Sequence, residues 1–407
     1  MHPDLMRRID FYVGIPLTFV CTGLDKLTRL FRRAPSRPKK ILFLELSEMG
    51  STILADPAMR KASIIFAAEL YFVIFAKNRP SLRLLNTIPE ENIFNIREGS
   101  LFSIGVDVLR FRSWCRRKGI DTVVDLELFS RFSALLSWLS GATSRSGFFA
   151  FHSEGLYRGD FLTHKVAYNP HMHIAKNFIA LVNALTAAKS ELPYSKTLIS
   201  DEEIKLTTVT FSNEEQAAMR ARIGRELPGI VTPGNYRLII INPNSSELLP
   251  QRRWAPENFV ALAKMILTEA TDVQLLITGS PSERDSSQEL VNMVKNSRCH
   301  NFTGYLRLEE LPLLYSVTEV MITNDSGPGH FAAVTDMPTI VLFGPETPAL
   351  YGSLGNFLPV YAGLACSPCV SATNHRKTPC RDNVCLQVIT PEMVFAKVKP
   401  FLRTDQC

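Results

Sequence analysis

The sequence has no apolar run long enough to cross a bilayer. Its best attempt, residues 11–24 (FYVGIPLTFVCTGL), falls short of the ~20 residues required and contains Gly14 and Pro16. No small-residue cleavage site follows that run and charge lies on both sides of it, so a signal peptide is not expected. There is no Cys2His2 finger, no aromatic RNA-binding motif, and the net charge is only +6, so nucleic acid is not an expected partner. No short repeat or low-complexity segment appears. The phosphate loop GxxxxGK[ST] is missing, and the turn at residues 46–51 lacks the third glycine of a dinucleotide fingerprint. What remains is an ordinary globular composition, 46% hydrophobic and 21% charged, over 407 residues, enough for two domains.

Positive charge is concentrated at the start. Between Arg7 and Lys40 stand nine basic residues (Arg7, Arg8, Lys26, Arg29, Arg32, Arg33, Arg37, Lys39, Lys40) against two acids, Asp10 and Asp25. Beyond Pro16, Leu17, Val20, Leu24, Leu27 and Phe31 fall on one helical face. Two readings stand: a basic amphipathic helix on an anionic membrane surface, or a helix packed on the body of the protein. Residues 1–38 are accordingly read as an N-terminal membrane-associating segment.

From Lys39 onward, apolar runs of strand length alternate with helical patterns. ILFLEL (41–46), LYFVIFA (70–76) and TVVDL (122–126) read as strands; residues 52–62, 102–117, 129–139 and 177–187 read as helices. A more polar stretch, 196–235, with a helix predicted over 213–223, reads as the connection between domains. RLIIIN (237–242), VQLLITG (273–279), EVMITN (319–324) and TIVLFG (339–344) form a second series of strands, with helices expected over 256–268 and 281–296. Two Rossmann-like, doubly wound parallel-sheet domains are predicted, 39–195 and 236–407. In such sheets ligands bind at the carboxyl ends of the strands, and here the site is expected in the cleft between the domains.

Four strand-end turns hold candidate chemistry. In NDSGPGH (324–330), Asp325 repels phosphate and suits sugar hydroxyls, while Ser326, Gly327, Gly329 and His330 precede a helix expected from Phe331. The same residues also read as a helix cap with glycine turn chemistry. In NPNSSELLPQRRW (242–254), Asn244 and Ser245 end a strand and Arg252 and Arg253 can grip phosphate or stay solvated. In GSPSE (279–283), Glu283 suits ribose hydroxyls or caps a helix. In LSEMGST (46–52), Glu48 and Gly50 form a turn before a helix beginning at Ser51 and Thr52.

Together, in this order and spacing, these segments resemble glycosyltransferase family 9, the ADP-heptose:lipopolysaccharide heptosyltransferases and their relatives. ITNDSGPGHFAAVTDMPTIVLFGP is similar to the family's NDTGPMHLAAALGTPVVALFGPT, NPNSSELLPQRRWAPENFVALA to its PGA…KRWP…F..LA, GSPSE to its GGPxE, and ILFLELSEMGSTILADPAMR to its ILxxRLxxxGDxxLxxPxLR. The resemblance covers about residues 39–398. It implies a GT-B fold, with donor nucleotide sugar on the C-terminal domain and acceptor on the N-terminal one. Carried over, Ser326, Gly327 and His330 border the donor diphosphate, with Gly329, Asn244 and Ser245 in the same pocket. Asp325 then holds sugar hydroxyls and Glu283 the ribose, while Arg252, where the family usually has Lys, neutralises the leaving diphosphate. It further implies an inverting enzyme that works with cationic side chains in place of a metal or other cofactor. The substrate would be a nucleotide sugar, ADP-heptose by preference, and the acceptor a lipid-linked saccharide of a lipopolysaccharide core. Its place would be peripheral, on the inner face of the cytoplasmic membrane.

One departure stands out. The family's catalytic Asp follows the glycine; here that position is Ser51, beside Gly50 on the acceptor side. Glu48, in the same turn, is the expected base, and Asp56 is expected to be structural. A weak or inactive scaffold acting as a binding or regulatory protein is the alternative reading. His171 and His173 read as surface residues. The late cysteines Cys366, Cys369, Cys380 and Cys385 have a spacing compatible with a metal, a disulfide or free thiols.

Overall fold

The computed structural model describes residues 3–29, 37–46, 48–151, 156–187, 195–227, 236–246, 249–372, 374 and 376–403. Phe31, Arg32, Arg33, residues 188–194 at the end of the expected first domain and residues 228–235 of the expected interdomain connection lie outside them. The chain divides into two compact units, Met1–Lys205 and Leu206–Cys407.

The first unit holds a six-stranded parallel sheet of β1 (Lys40–Leu44), β2 (Glu69–Phe75), β3 (Ile93–Ile96), β4 (Thr122–Asp125), β5 (Ser144–Phe148) and β6 (His164–Val166), in the order 3-2-1-4-5-6. The second holds β7 (Arg237–Asn242), β8 (Val273–Ile277), β9 (Cys299–Asn301), β10 (Val320–Asn324), β11 (Thr339–Phe343) and β12 (Phe357–Tyr361), in the order 12-11-10-7-8-9. Read from its other edge the second order is the first one again. Each sheet therefore reverses its winding once, between β1 and β4 and between β7 and β10, and these switch points open clefts for ligands at the strands' carboxyl ends.

The apolar runs form the central strands because both faces of each sheet are covered. Ile41, Leu42, Phe43 and Leu44 of β1 are fully buried, as are Ile239, Ile240 and Ile241 of β7. The strands missed in sequence are short or polar. β5 reads SRSGF, yet all five residues are buried. Its polar groups are satisfied inside: Ser146 Oγ donates to the Leu181 carbonyl at 2.7 Å, and Arg145 pairs with Asp25.

Two helices precede the first sheet, Pro3–Tyr12 and Gly14–Arg29, bent at Val13. Pro16 sits in the first turn of the second helix, where its missing N–H costs nothing. The expected amphipathic helix is thus two helical segments joined by a kink, across which the Val13 amide still donates to the Ile9 carbonyl and the Leu17 amide to the Val13 carbonyl. It is clamped to the body: Asp10 accepts from the Arg131 and Phe132 amides, both at 3.0 Å, and from Arg131 Nη1 at 2.9 Å. Further along, Asp25 and Arg145 form an ion pair at 2.9 Å in which both side chains are 0% exposed.

Candidate active site

At the second unit's switch point the strand ends are stapled together by Asn324, the last residue of β10. Its Nδ2 donates to the Pro243 carbonyl at 2.7 Å, and its Oδ1 accepts from the Trp254 amide at 3.1 Å. Trp254 is buried edge-on against Phe259, ring centroids 4.9 Å apart, and its indole donates to the Ile389 carbonyl at 2.8 Å. Arg253 Nη2 donates to the Ser245 carbonyl at 3.2 Å. These hydrogen bonds fix the turn Pro250–Arg252 and thereby aim Arg252.

Arg252 points between two acids. Its Nε lies 3.4 Å from Asp325 Oδ2 and its Nη2 lies 2.5 Å from Glu346 Oε1, with both carboxylates buried. Arg376 reaches the same Glu346 oxygen at 3.6 Å and stacks over the Tyr351 ring at 4.9 Å. The arrangement brings Arg252 and Asp325 together as the sequence led one to expect and adds Glu346 and Arg376. Glu346 follows Gly344-Pro345, just past β11. It reaches the site because β11 lies beside β10, with Asn324 level with Leu342.

Ser245 is buried, and its hydroxyl has no hydrogen-bond partner among the described residues. Asn244 and Glu283 flank Gly279: a Cβ there would meet Asn244 Nδ2 at 2.5 Å and Glu283 Oε2 at 2.9 Å. A larger residue there would push both side-chain ends aside. Asn244 Nδ2 donates to the Thr278 carbonyl at 3.2 Å, and Glu283 Oε2 accepts from the Ser280 amide at 2.7 Å. The capping reading of Glu283 is therefore realised.

The helix expected from Phe331 begins earlier, spanning Gly327–Ala332 with Ser326 at its N-cap. The Ser326 hydroxyl donates back to the Asn324 carbonyl at 3.2 Å instead of capping that helix. Pro328 has no N–H, the Gly329 amide donates to the Ser326 carbonyl at 3.2 Å, and the helix is only 6 residues long. Such a terminus offers little anion binding, so positive charge here comes from the arginines. At Gly329 an added Cβ would lie 3.3 Å from Val341 Cγ2. This glycine serves close helix–strand packing, while Gly327 and His330 are half-buried at the rim.

In the first unit the switch point is equally rigid but acidic. Leu46, just past β1, is pinned twice: its amide donates to Glu127 Oε1 and its carbonyl accepts from Asn78 Nδ2, both at 2.8 Å. Glu127 is held in turn by Asp125 and Arg158, a buried pair; Arg158 Nη1 donates to the Glu127 carbonyl at 3.0 Å. Burial pushes the Asp125 carboxyl up, against the pull of Arg158. Two residues on from Leu46, Glu48 is the N-cap of the helix Met49–Phe66, and Ser51 Oγ donates to its Oε2 at 3.2 Å. Gly50, read as part of a turn, is already helical. Ser51, where the family carries its Asp, thus supports the neighbouring carboxylate. Asp56 is buried two turns away, paired with Arg60 at 2.7 Å and accepting from Thr87. Burial pushes its carboxyl up, and its place is structural. His173 Nδ1 accepts from the Ala175 amide and caps the helix Ile174–Ala184. Glu127, Asn78, Asn324, Glu346 and Arg376 were all missed in sequence.

Cys366, Cys369, Cys380 and Cys385 are free thiols. Burial, then the nearby Cys369, Cys380 and Cys366, raises the Cys385 thiol's pKa. Among the described residues no group of three His, Cys, Asp or Glu is placed to hold a metal ion.

The profile of glycosyltransferase family 9 (heptosyltransferase) matches residues 108–379. The chain belongs to glycosyltransferase family 9. It is 31% identical over 106 residues to lipopolysaccharide heptosyltransferase 2 of Salmonella typhimurium, a match covering 25% of this chain and 30% of that one. It is 22% identical over 335 residues to the lipopolysaccharide core heptosyltransferase OpsX of Haemophilus influenzae, covering 80% of this chain and 85% of the relative. The chain thus spans less than a third of the Salmonella relative and most of OpsX. Among solved structures, the E. coli ADP-heptose lps heptosyltransferase II superposes with a TM-score of 0.66 at 20% identity, over 89% of this chain and 98% of that one. That likeness is one of fold, and the fold of this family 9 chain is GT-B.

Proposed function

We propose that this family 9 protein is an inverting glycosyltransferase that moves a sugar, heptose from ADP-heptose, onto a lipid-linked saccharide of a lipopolysaccharide core, without a metal. The single observation carrying this reading is Arg252, a guanidinium aimed by Trp254 and Asn324 into the switch point of the second sheet, 3.4 Å from Asp325. The relatives' names supply the sugar and acceptor class.

The step balances simply. The acceptor hydroxyl oxygen attacks the anomeric carbon. The bond from that carbon to the diphosphate oxygen breaks, and the nucleoside diphosphate leaves with the electron pair. Glu48 takes the hydroxyl proton, a contribution of about 10²–10⁴-fold. Arg252 and Arg376 neutralise charge developing on the leaving diphosphate, and the buried Ser245 hydroxyl offers it a hydrogen bond. Asp325 accepts from sugar hydroxyls. Because its acceptor is lipid-linked, the enzyme works at the inner face of the cytoplasmic membrane.

A second reading is favoured by one observation: Ser51 stands where the family has its carboxylate. It makes the protein a weak or inactive scaffold that binds or regulates. The two separate on ADP release from ADP-heptose in the presence of lipopolysaccharide-core acceptor. Turnover lost in Glu48→Gln with nucleotide binding retained supports the enzyme. No turnover in either form, from protein that still binds ADP, supports the scaffold.

A further inference from the structure

The helix Gly14–Arg29 is built inside out. Its buried residues are Gly14, Thr18, Cys21 and Asp25, at spacings that place them on one helical face. That stripe is small and polar. Gly14 packs tightly on Arg131, where an added Cβ would lie 3.0 Å from its side chain. Thr18 Oγ1 donates to the Gly14 carbonyl at 2.7 Å, Thr22 Oγ1 accepts from the Asp160 amide at 2.8 Å, and Asp25 is closed onto Arg145. The large apolar residues point the other way. Leu17, Phe19, Val20, Leu24 and Leu27 are all exposed, Phe19 at 72% and Leu27 at 65%, and the bend adds Phe11, Tyr12 and Val13. A soluble helix places its apolar stripe on the core. A contiguous outward apolar face of this size marks a surface that something covers.

Charge identifies the cover. The only acids between Arg7 and Lys40 are Asp10 and Asp25, and both are spent inward, on Arg131 and Arg145. From Arg7 onward the charge these helices turn outward is cationic: Arg8 and Lys26 are both exposed, Lys26 lying 3.8 Å from Asp160. Large apolar side chains beside cations fit the headgroup and acyl boundary of an anionic bilayer. The helix is 16 residues long, about 24 Å at the α-helical rise, and does not span the ~30 Å hydrocarbon core. Among the described residues no helix is long and apolar enough to cross a membrane.

The clamps also fix an orientation. Asp10 caps the first turn of the helix Arg131–Leu139, which follows β4, so the bend at Val13 lies at the carboxyl-end rim of the first sheet. Asp25 meets Arg145, the second residue of β5, toward the opposite rim. The helix thus runs along the unit from one rim to the other, with the exposed Phe11 and Tyr12 at the rim that carries Glu48 and Glu127.

From this we infer that the kinked N-terminal helix is a monotopic docking surface for anionic lipid bilayers, seated through Phe11, Tyr12, Phe19, Val20, Leu24 and Leu27. It holds the carboxyl-end rim of the first sheet at the membrane surface. Delivery of a lipid-linked acceptor to that rim rests on the transferase reading above; the lipid binding itself does not.

The test is cosedimentation of the full chain with phosphatidylcholine vesicles, with and without phosphatidylglycerol, against the triple variant Phe19→Ser, Val20→Ser, Leu27→Ser. These side chains face outward, so the variant should keep the wild-type unfolding temperature and nucleotide binding. Expected is binding of the wild type to phosphatidylglycerol vesicles, weakened by salt, and a loss of about tenfold or more in the variant. Equal affinity for both vesicle types overturns the anionic assignment. A wild-type dimer in sedimentation velocity that the variant dissociates, with no vesicle binding, overturns the proposal and makes the face an interface between copies. Vesicle binding in a protein that binds no nucleotide leaves the docking surface standing and removes the transferase reading.

Discussion

At the carboxyl end of β1 the first unit gathers carboxylates: Glu48 at a helix N-cap, and Glu127 holding the Leu46 amide. At the ends of β7 and β10 the second unit gathers cations, Arg252 and Arg376, converging on one Glu346 oxygen. The two sheets share one strand order, so topology does not account for the difference. The residue closing each middle strand does. Asp125, at the end of β4, is a charge and needs Arg158 buried beside it. Asn324, at the end of β10, is neutral and staples backbone, and through the Trp254 turn it aims Arg252 at the acids that follow β10 and β11, Asp325 and Glu346. One scaffold, used twice, thus gathers carboxylates on one unit and arginines on the other, the two kinds of group that the sugar transfer proposed above requires.

The contrast can be broken from either side. Glu48→Gln should lower turnover by about 10²–10⁴-fold with nucleotide binding unchanged, read by ADP release and calorimetry. Arg252→Ala should cost about 10²–10³-fold in turnover and weaken nucleotide binding as well. Because it strands Asp325 and Glu346 with less compensation, it should also lower the unfolding temperature, whereas Arg252→Lys should keep both charge and fold. Asn324→Ala removes two buried hydrogen bonds, and a loss of about 2 kcal/mol in urea unfolding is expected, with weaker nucleotide binding because Arg252 is less well aimed.

The smallest effect concerns what the units share. Each has an outlying aspartate gripped bidentately by arginine, Asp107 by Arg97 and Asp272 by Arg237. Arginine hydrogen bonds hold both carboxyls below their usual range. A depressed carboxylate contributes stability that is present above the unfolded pKa of about 3.9 and lost as pH falls through the folded value. The urea midpoint should therefore drop below about pH 4, and Asp107→Asn should lose that contribution already at neutral pH and flatten the first unit's acid dependence.

Much of this was legible in the residues alone. The long apolar runs of β1, β2, β7, β10 and β11 mark themselves, because a strand covered on both faces has no polar alternation to disguise it. β5 hid because its polar residues are satisfied from outside the strand, by Asp25 and the Leu181 carbonyl, and no local pattern shows that. Arg252 and Asp325 were singled out because each lies in the polar segment that follows a strand, β7 and β10. Glu346 was not, since only the pairing of β11 with β10 carries it to Arg252. In the N-terminal helices, the apolar stripe was visible and its two readings could not be separated. A second stripe, Gly14, Thr18, Cys21 and Asp25, was equally readable and shows that the helix docks on the body by one face and leaves the other outward.

The most direct test is calorimetric titration of ADP, GDP and UDP into the wild type and into Arg252→Ala. The account predicts that ADP binds in preference to the others. It also predicts that Arg252→Ala weakens ADP binding by at least about tenfold, as expected for removing one charge-assisted hydrogen bond to the diphosphate. Nucleotide binding that is absent from the folded wild type, or indifferent to Arg252, would contradict it.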